Sequence, residues 1–115
     1  MNFSVQKNGS HTCICLHDKS LDSQVAPRLK SELAVMIGNG EKNILVDLSD
    51  CRSCDSSGMS ALLLGNRLCS GANGKFVLFG LSDDVREKLE MARVDSLMLV
   101  ANSRVQAEMF FRDGN

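Results

Sequence analysis

Residues 44–69 read ILVDLSDCRSCDSSGMSALLLGNRLC, and the fold is decided here. Ile44-Leu45-Val46-Asp47-Leu48 is apolar except at Asp47. An apolar run this short, without polar alternation, fits a central strand covered on both faces. Asp47 is expected to bond loop N–H groups at the strand end. Ser49 to Asp55 is polar and loop-like. A helix is predicted from Ser56 or Ser57 to about Ser70, stopped by Gly71-Ala72-Asn73-Gly74. A buried strand, a loop and then a helix make up the repeating unit of an α/β sheet, and ligands and sites gather at the carboxyl edge of such sheets.

Towards the N-terminus, Phe3 and Val5 alternate with polar neighbours and predict a short strand. Asn8-Gly9 is a two-residue hairpin signal, because both residue types tolerate positive φ. Thr12 to Leu16 is the returning strand, with Cys13 and Cys15 on one face and Ile14 and Leu16 on the other. Val25, Leu29, Leu33 and Ile37 then recur at helical spacing. Asp22 or Ser23 can cap that helix, Pro27 must lie in or near its first turn, and Gly38 and Gly40 end it.

Towards the C-terminus, Lys75 to Gly80 is another buried strand. Ser82 and Asp84 are both candidate caps for a third helix carrying Val85 and Leu89, and Asp84 with Glu87 has the spacing of a capping box. Leu97 to Val100 is a short final strand. Ser103 with Gln106 opens a last helix through Ala107 and Phe110. The order β-β-α-β-α-β-α-β-α predicts one α/β domain over residues 1–115. Its sheet is mixed but mostly parallel, with an N-terminal β-hairpin and about four helices.

The composition narrows the function. With 115 residues, 43% hydrophobic, the chain has the size of one ordinary domain and can bury a core without staples. The net charge is -1 and the 13 Lys and Arg are scattered, which disfavours nucleic acid as a partner. No apolar run reaches the length of a bilayer span, and the N-terminal residues lack the pattern of a secretory signal, so a cytoplasmic location is expected. The cysteines number five, an odd count in a chain with no sign of secretion, and reduced thiols are expected rather than a disulfide framework.

Asp55-Ser56-Ser57-Gly58 opens the helix after the central strand. Asp55 or Ser56 can accept from first-turn N–H groups, and the helix start carries about half a positive charge. A phosphate on Ser56 or Ser57 would add about -1.5 to -2 charges there. The helix end tolerates that charge, whereas a partner surface bearing carboxylates would not. Gly58 could also serve close helix–strand packing.

Val46-Asp47-Leu48-Ser49 followed by Asp55-Ser56-Ser57-Gly58-Met59 resembles the signature of the STAS domain family, which includes the anti-sigma-factor antagonists. Leu21-Asp22 with Ala26-Pro27 and Leu29 resembles the start of the family's first helix. Gly74 to Gly80 resembles its next strand, and Val85, Leu89, Val94-Asp95 and Leu97 resemble its third helix and the strand beyond. The resemblance implies a STAS fold and a non-enzymatic switch without cofactor or metal. It implies Ser56 as phosphoacceptor, with Asp55, Ser57, Gly58, Met59 and Asp22 supporting the site or contacting a partner. Asp55 would position the hydroxyl or cap the helix, and Gly58 would keep the turn open. The implied partners are an anti-sigma factor that is also a serine kinase using ATP, and a serine phosphatase that resets the switch. Leu62 and Leu63 are expected in the core. Leu64 and Leu68 fall where the family more often has small or polar residues, and either burial or a partner patch would suit them.

Other readings compete. One keeps the fold and makes the chain a non-phosphorylated subunit of a lipid-transport ABC system or a signalling scaffold. Another takes Cys51-Arg52-Ser53-Cys54, a Cys-x-x-Cys before a helix, as a thiol–disulfide oxidoreductase motif, since a helix start can lower a thiol pKa. Against it, the helix is predicted to begin after Cys54, and the aromatic and proline context of such motifs is missing. Zinc would need a second ligand pair, which the sequence does not supply near Cys51 and Cys54. His11 and His17 flank a strand and are expected to be surface polar groups.

Overall fold

The computed structural model describes residues 2–112. Five strands form one sheet: β1 (Phe3–Asn8), β2 (His11–Leu16), β4 (Ile44–Asp47), β6 (Phe76–Phe79) and β7 (Leu99–Ala101), in spatial order β1-β2-β4-β6-β7. β1 and β2 are an antiparallel hairpin, and every other pairing in this sheet is parallel. Four helices complete the chain: α1 (Ala26–Gly38), α2 (Ser56–Gly71), α3 (Asp83–Met91) and α4 (Arg104–Arg112). The parallel pairings require crossovers, and the helices supply them.

Side-chain alternation along the central strands splits the core into two layers. Ile14, Leu16, Ile44, Val46, Phe76 and Leu78 face one way and pack with Leu29 and Leu33 of α1, Leu62 of α2 and Leu89 of α3. Cys13, Leu45 and Val77 face the other way, beneath Ala107 and Phe111 of α4. The double coverage explains why β4 lacks polar alternation. Gly65 lets α2 settle directly on the sheet, since a Cβ there would lie 2.6 Å from Phe76 Cζ.

Local details depart from the sequence reading. The hairpin turn is Gly9-Ser10, because Asn8 still pairs with His11, and the positive φ (+53°) falls on Gly9. Met36, not Ile37, completes the buried stripe of α1, and Ile37 is half-buried at its edge. Ser82, rather than Asp84, caps α3 and accepts from Val85 N at 3.2 Å, while Asp84 pairs with Lys88 one turn on. Gln106 N donates to Ser103 Oγ as the capping box requires, but the Gln106 side chain reaches back to Asn102 N instead of Ser103 N. Leu97 belongs to a short 3-10 turn (Asp95–Leu97) and is exposed, and the last strand begins at Leu99.

The polar segments on either side of α1 and β4 hold a further pair of strands, β3 (Ser20–Leu21) and β5 (Ser53–Cys54), aligned in parallel. Ser20 and Ser53 share a hydroxyl hydrogen bond of 2.7 Å, and Asp55 N donates to Leu21 O. This small ladder sets the entry of α2.

Candidate functional site

The site is built where the β3–β5 ladder ends. Asp55 has extended backbone (φ -105°, ψ -173°) and is the cap of α2, its Oδ1 accepting from Gly58 N at 3.0 Å. Of the two capping choices open in the sequence, the carboxylate does the capping. The Ser56 hydroxyl is therefore free of that duty, and Ser56 is the first residue of the helix, exposed to solvent. Ser57 is half-buried.

Gly58 lies underneath. A Cβ at this position would collide with the Leu21 carbonyl oxygen and come within 2.9 Å of Cys54 Sγ. Gly58 is thus a packing residue that lets α2 approach β3. Asp22 follows Leu21 out of the ladder, and its Oδ1 accepts from Gln24 N and Val25 N, making the turn that leads into α1. Asp22 therefore acts before α1; Val25, in the capping position, makes no side-chain cap.

Ser56 borders two depressions of different chemistry. Between α1 and α2 lies a cleft of about 310 Å³ with mixed lining: the hydroxyls of Ser23, Ser56, Ser57 and Ser60, the Lys30 ammonium, and apolar Ala26 and Pro27. Between α2 and the segment after α3 lies a mainly apolar groove of about 410 Å³, lined by Met59, Leu63, Arg67, Ala92 and Val94, with Ser56 at its end. Met59 and Leu63 are half-buried and reach the core from above. Leu62 is fully buried as expected, whereas Leu63 contributes to the groove. Leu64 and Leu68 are half-buried, and Leu68 packs on the core.

The loop before β5 is held from both sides. Asp47 Oδ1 accepts from Ser49 N (2.9 Å) and Ser49 Oγ (2.6 Å), the loop-binding role expected of it. Its Oδ2 accepts from Arg104 at the start of α4 (2.6 Å). Nothing in the sequence singles out Arg104 beyond its basic character. Asp50 bonds His17 Nδ1 at 3.0 Å, and His17 Nε2 meets Ser4 Oγ at 3.1 Å. That chain is open to solvent, with the Asp50 side chain 57% exposed, and it tethers the loop to the edge strand. His11, expected at the surface, is buried and stacks on Phe111 with centroids 4.4 Å apart.

The Cys-x-x-Cys motif holds no activated thiol. Cys51 and Cys54 are both buried, and their Sγ atoms point at the Ser53 and Asp55 carbonyl oxygens. Burial pushes the Cys51 thiol up; burial, with Cys51 and Asp55 adding to it, pushes Cys54 up to about 12. A redox thiol needs the opposite shift. Among the described residues no His, Cys, Asp and Glu cluster could hold a metal ion, and no helix is long and apolar enough to cross a membrane.

Comparison with known proteins places this architecture. The family model described as "Mlab, STAS domain" matches residues 3–101. The Bordetella bronchiseptica protein BtrV, assigned as an anti-sigma factor antagonist, is 30% identical over 112 residues, covering 97% of this chain and 96% of BtrV. The crystal structure of a Thermotoga maritima protein with the same assignment superposes with a TM-score of 0.85 at 20% identity, covering 96% of this chain and 94% of that one. The Bacillus cell fate determinant SpoIIAA, solved in its phosphorylated form, gives a TM-score of 0.73 at 18% identity, covering 94% of this chain and 98% of SpoIIAA. The family model over residues 3–101 and the full-length relative at 30% identity show that the chain belongs to the STAS domain family, and its five-stranded mixed sheet with an N-terminal hairpin agrees with that. Its similarity to the anti-sigma factor antagonists extends over nearly its whole length.

Proposed function

We propose that this protein is an anti-sigma-factor antagonist whose binding to an anti-sigma serine kinase is broken by phosphorylation of Ser56. Unphosphorylated, it docks the kinase on the surface formed by the loop from Ser49 to Asp55, the first turns of α2 and the apolar groove beside Met59 and Leu63, and a sigma factor is released. The kinase then transfers the γ-phosphoryl group of its ATP to Ser56 Oγ, releasing ADP and the hydroxyl proton. The new charge expels the partner, and a serine phosphatase restores the hydroxyl. The protein is the substrate of this cycle and not an enzyme, and it works in the cytoplasm.

The observation that carries the reading is the exposed Ser56 at the first position of α2, with Asp55 doing the capping. A serine consumed as a cap would have its oxygen turned to the backbone, whereas the Ser56 hydroxyl is left open to a kinase. The core lies below Gly58, so a phosphate at Ser56 changes surface charge without disturbing packing.

Binding of the kinase to the Ser56→Ala and Ser56→Asp variants tests the reading. Ser56→Ala should bind as the wild type does and resist release by ATP. Ser56→Asp should bind at least about tenfold more weakly, since like charges facing across an interface are costly. Equal affinity of all three proteins would remove the charge mechanism. Co-purification with an ABC ATPase, with no kinase bound, would favour the scaffold role instead.

A further inference from the structure

We propose that Lys30 of α1 is the built-in counter-ion for a phosphate on Ser56, drawing it into the α1–α2 cleft; the inference rests on Ser56 being the modified residue. A phosphoserine at the start of α2 carries about -1.5 to -2 charges near neutral pH. Its immediate chain neighbour is the Asp55 carboxylate, and Asp22 lies on the adjoining strand exit, so two like charges oppose it. Nearby positive charge decides which way the phosphate turns.

Two cations line the depressions that Ser56 borders: Lys30 in the α1–α2 cleft and Arg67 in the apolar groove. Arg67 is three helical turns further along α2, roughly 16 Å along the axis at 1.5 Å per residue. Arg67 lines the apolar groove together with Ser56 and is the competing cation, which the Arg67→Met variant below tests. Lys30 instead lines the same cleft as Ser56, Ser57 and Ser60, facing them from α1. Among the described residues no ion pair involves Lys30, whereas Arg28 is paired with Glu32 and Lys88 with Asp84. The remaining lining is hydroxyl, apolar or proline, with no carboxylate to compete.

The two depressions thus have separate tasks. The apolar groove is left for the partner, and the hydroxyl- and lysine-lined cleft receives the phosphate. Phosphorylation in this way removes the hydroxyl from the docking surface as well as adding charge.

The test uses the full chain with phosphoserine installed at position 56 during translation, and follows the phosphate by 31P NMR as pH is varied. An unconstrained phosphoserine has a second pKa near 6. Lys30 should hold it lower, and Lys30→Met should raise it by about half a unit, the size expected for a partly exposed ion pair. Lys30→Arg should restore the lower value, and Arg67→Met should leave it unmoved. A titration identical in wild type and Lys30→Met, or one shifted equally by Arg67→Met, overturns the proposal. Because no kinase is used, the titration is independent of the switch: failure of every kinase to modify Ser56 would sink the switch without changing how Lys30 acts on an installed phosphate.

Discussion

Arg104 and Asp47, 57 residues apart in the chain, meet at 2.6 Å at the carboxyl edge of the sheet. The Asp47 side chain is 5% exposed and that of Arg104 is 51% exposed, so the carboxylate is the member of the pair that depends on the other. Through its second oxygen Asp47 holds Ser49, the first residue of the loop that leads to Ser56. The pair therefore ties α4 to the base of the candidate site. The Arg104 guanidinium also lies over the Phe79 ring, 5.5 Å from its centroid.

Removing Arg104 leaves a buried carboxylate without its counter-charge. Loss of one partner from a fully buried pair costs about 3–5 kcal/mol, and the half-exposed arginine reduces this to about 2 kcal/mol. Arg104→Met, which retains the apolar stem, should lower the urea midpoint accordingly. Adding Asp47→Asn should recover part of the loss. A single-variant cost below about 0.5 kcal/mol would mean that water already solvates Asp47.

His11 makes stability depend on pH. Burial lowers its pKa from the ordinary 6.5; Glu108 raises it and Arg104 lowers it, both by less. The native state thus binds a proton less readily than the unfolded chain. Its contribution is complete above 6.5, declines as pH falls through that value, and levels off once the native imidazole is also protonated. Chemical denaturation between pH 8 and 5 should show this decline, and His11→Phe should flatten it while keeping an aromatic ring against Phe111. An unchanged pH profile in His11→Phe would assign the decline to other groups.

The buried thiols should be inert. With the Cys54 pKa at about 12, its thiolate is scarce at pH 8, and Cys51 is shifted in the same direction. Native protein should react with a thiol reagent at these two positions far more slowly than denatured protein does. Rapid labelling of either residue in native protein, or disulfide-exchange activity, would restore the redox reading.

Much of the architecture is legible in the sequence because the helices are long enough to show a period and the central strands read as unbroken apolar runs. The two-sided burial of β4 reads directly from residues 44–48, and the start of α2 from Asp55-Ser56-Ser57-Gly58. The β3–β5 ladder is not legible, because two residues per strand carry no periodicity and their pairing is set by tertiary approach. Arg104 escapes for a related reason: nothing local marks an arginine whose partner is 57 residues away. His11 defies its flanking position because α4 folds back and lays Phe111 on it. Gly58 carries both a functional and a packing reading, and only the position of the Leu21 carbonyl separates them.

The central claim is that a kinase acts on one exposed hydroxyl at the first residue of α2. Incubation of the protein with ATP and the organism's candidate anti-sigma kinases, followed by peptide mass spectrometry, tests it most directly. A single phosphate on Ser56, absent in Ser56→Ala, is the predicted result. Phosphate on a different residue, or on none with any of these kinases, would contradict it.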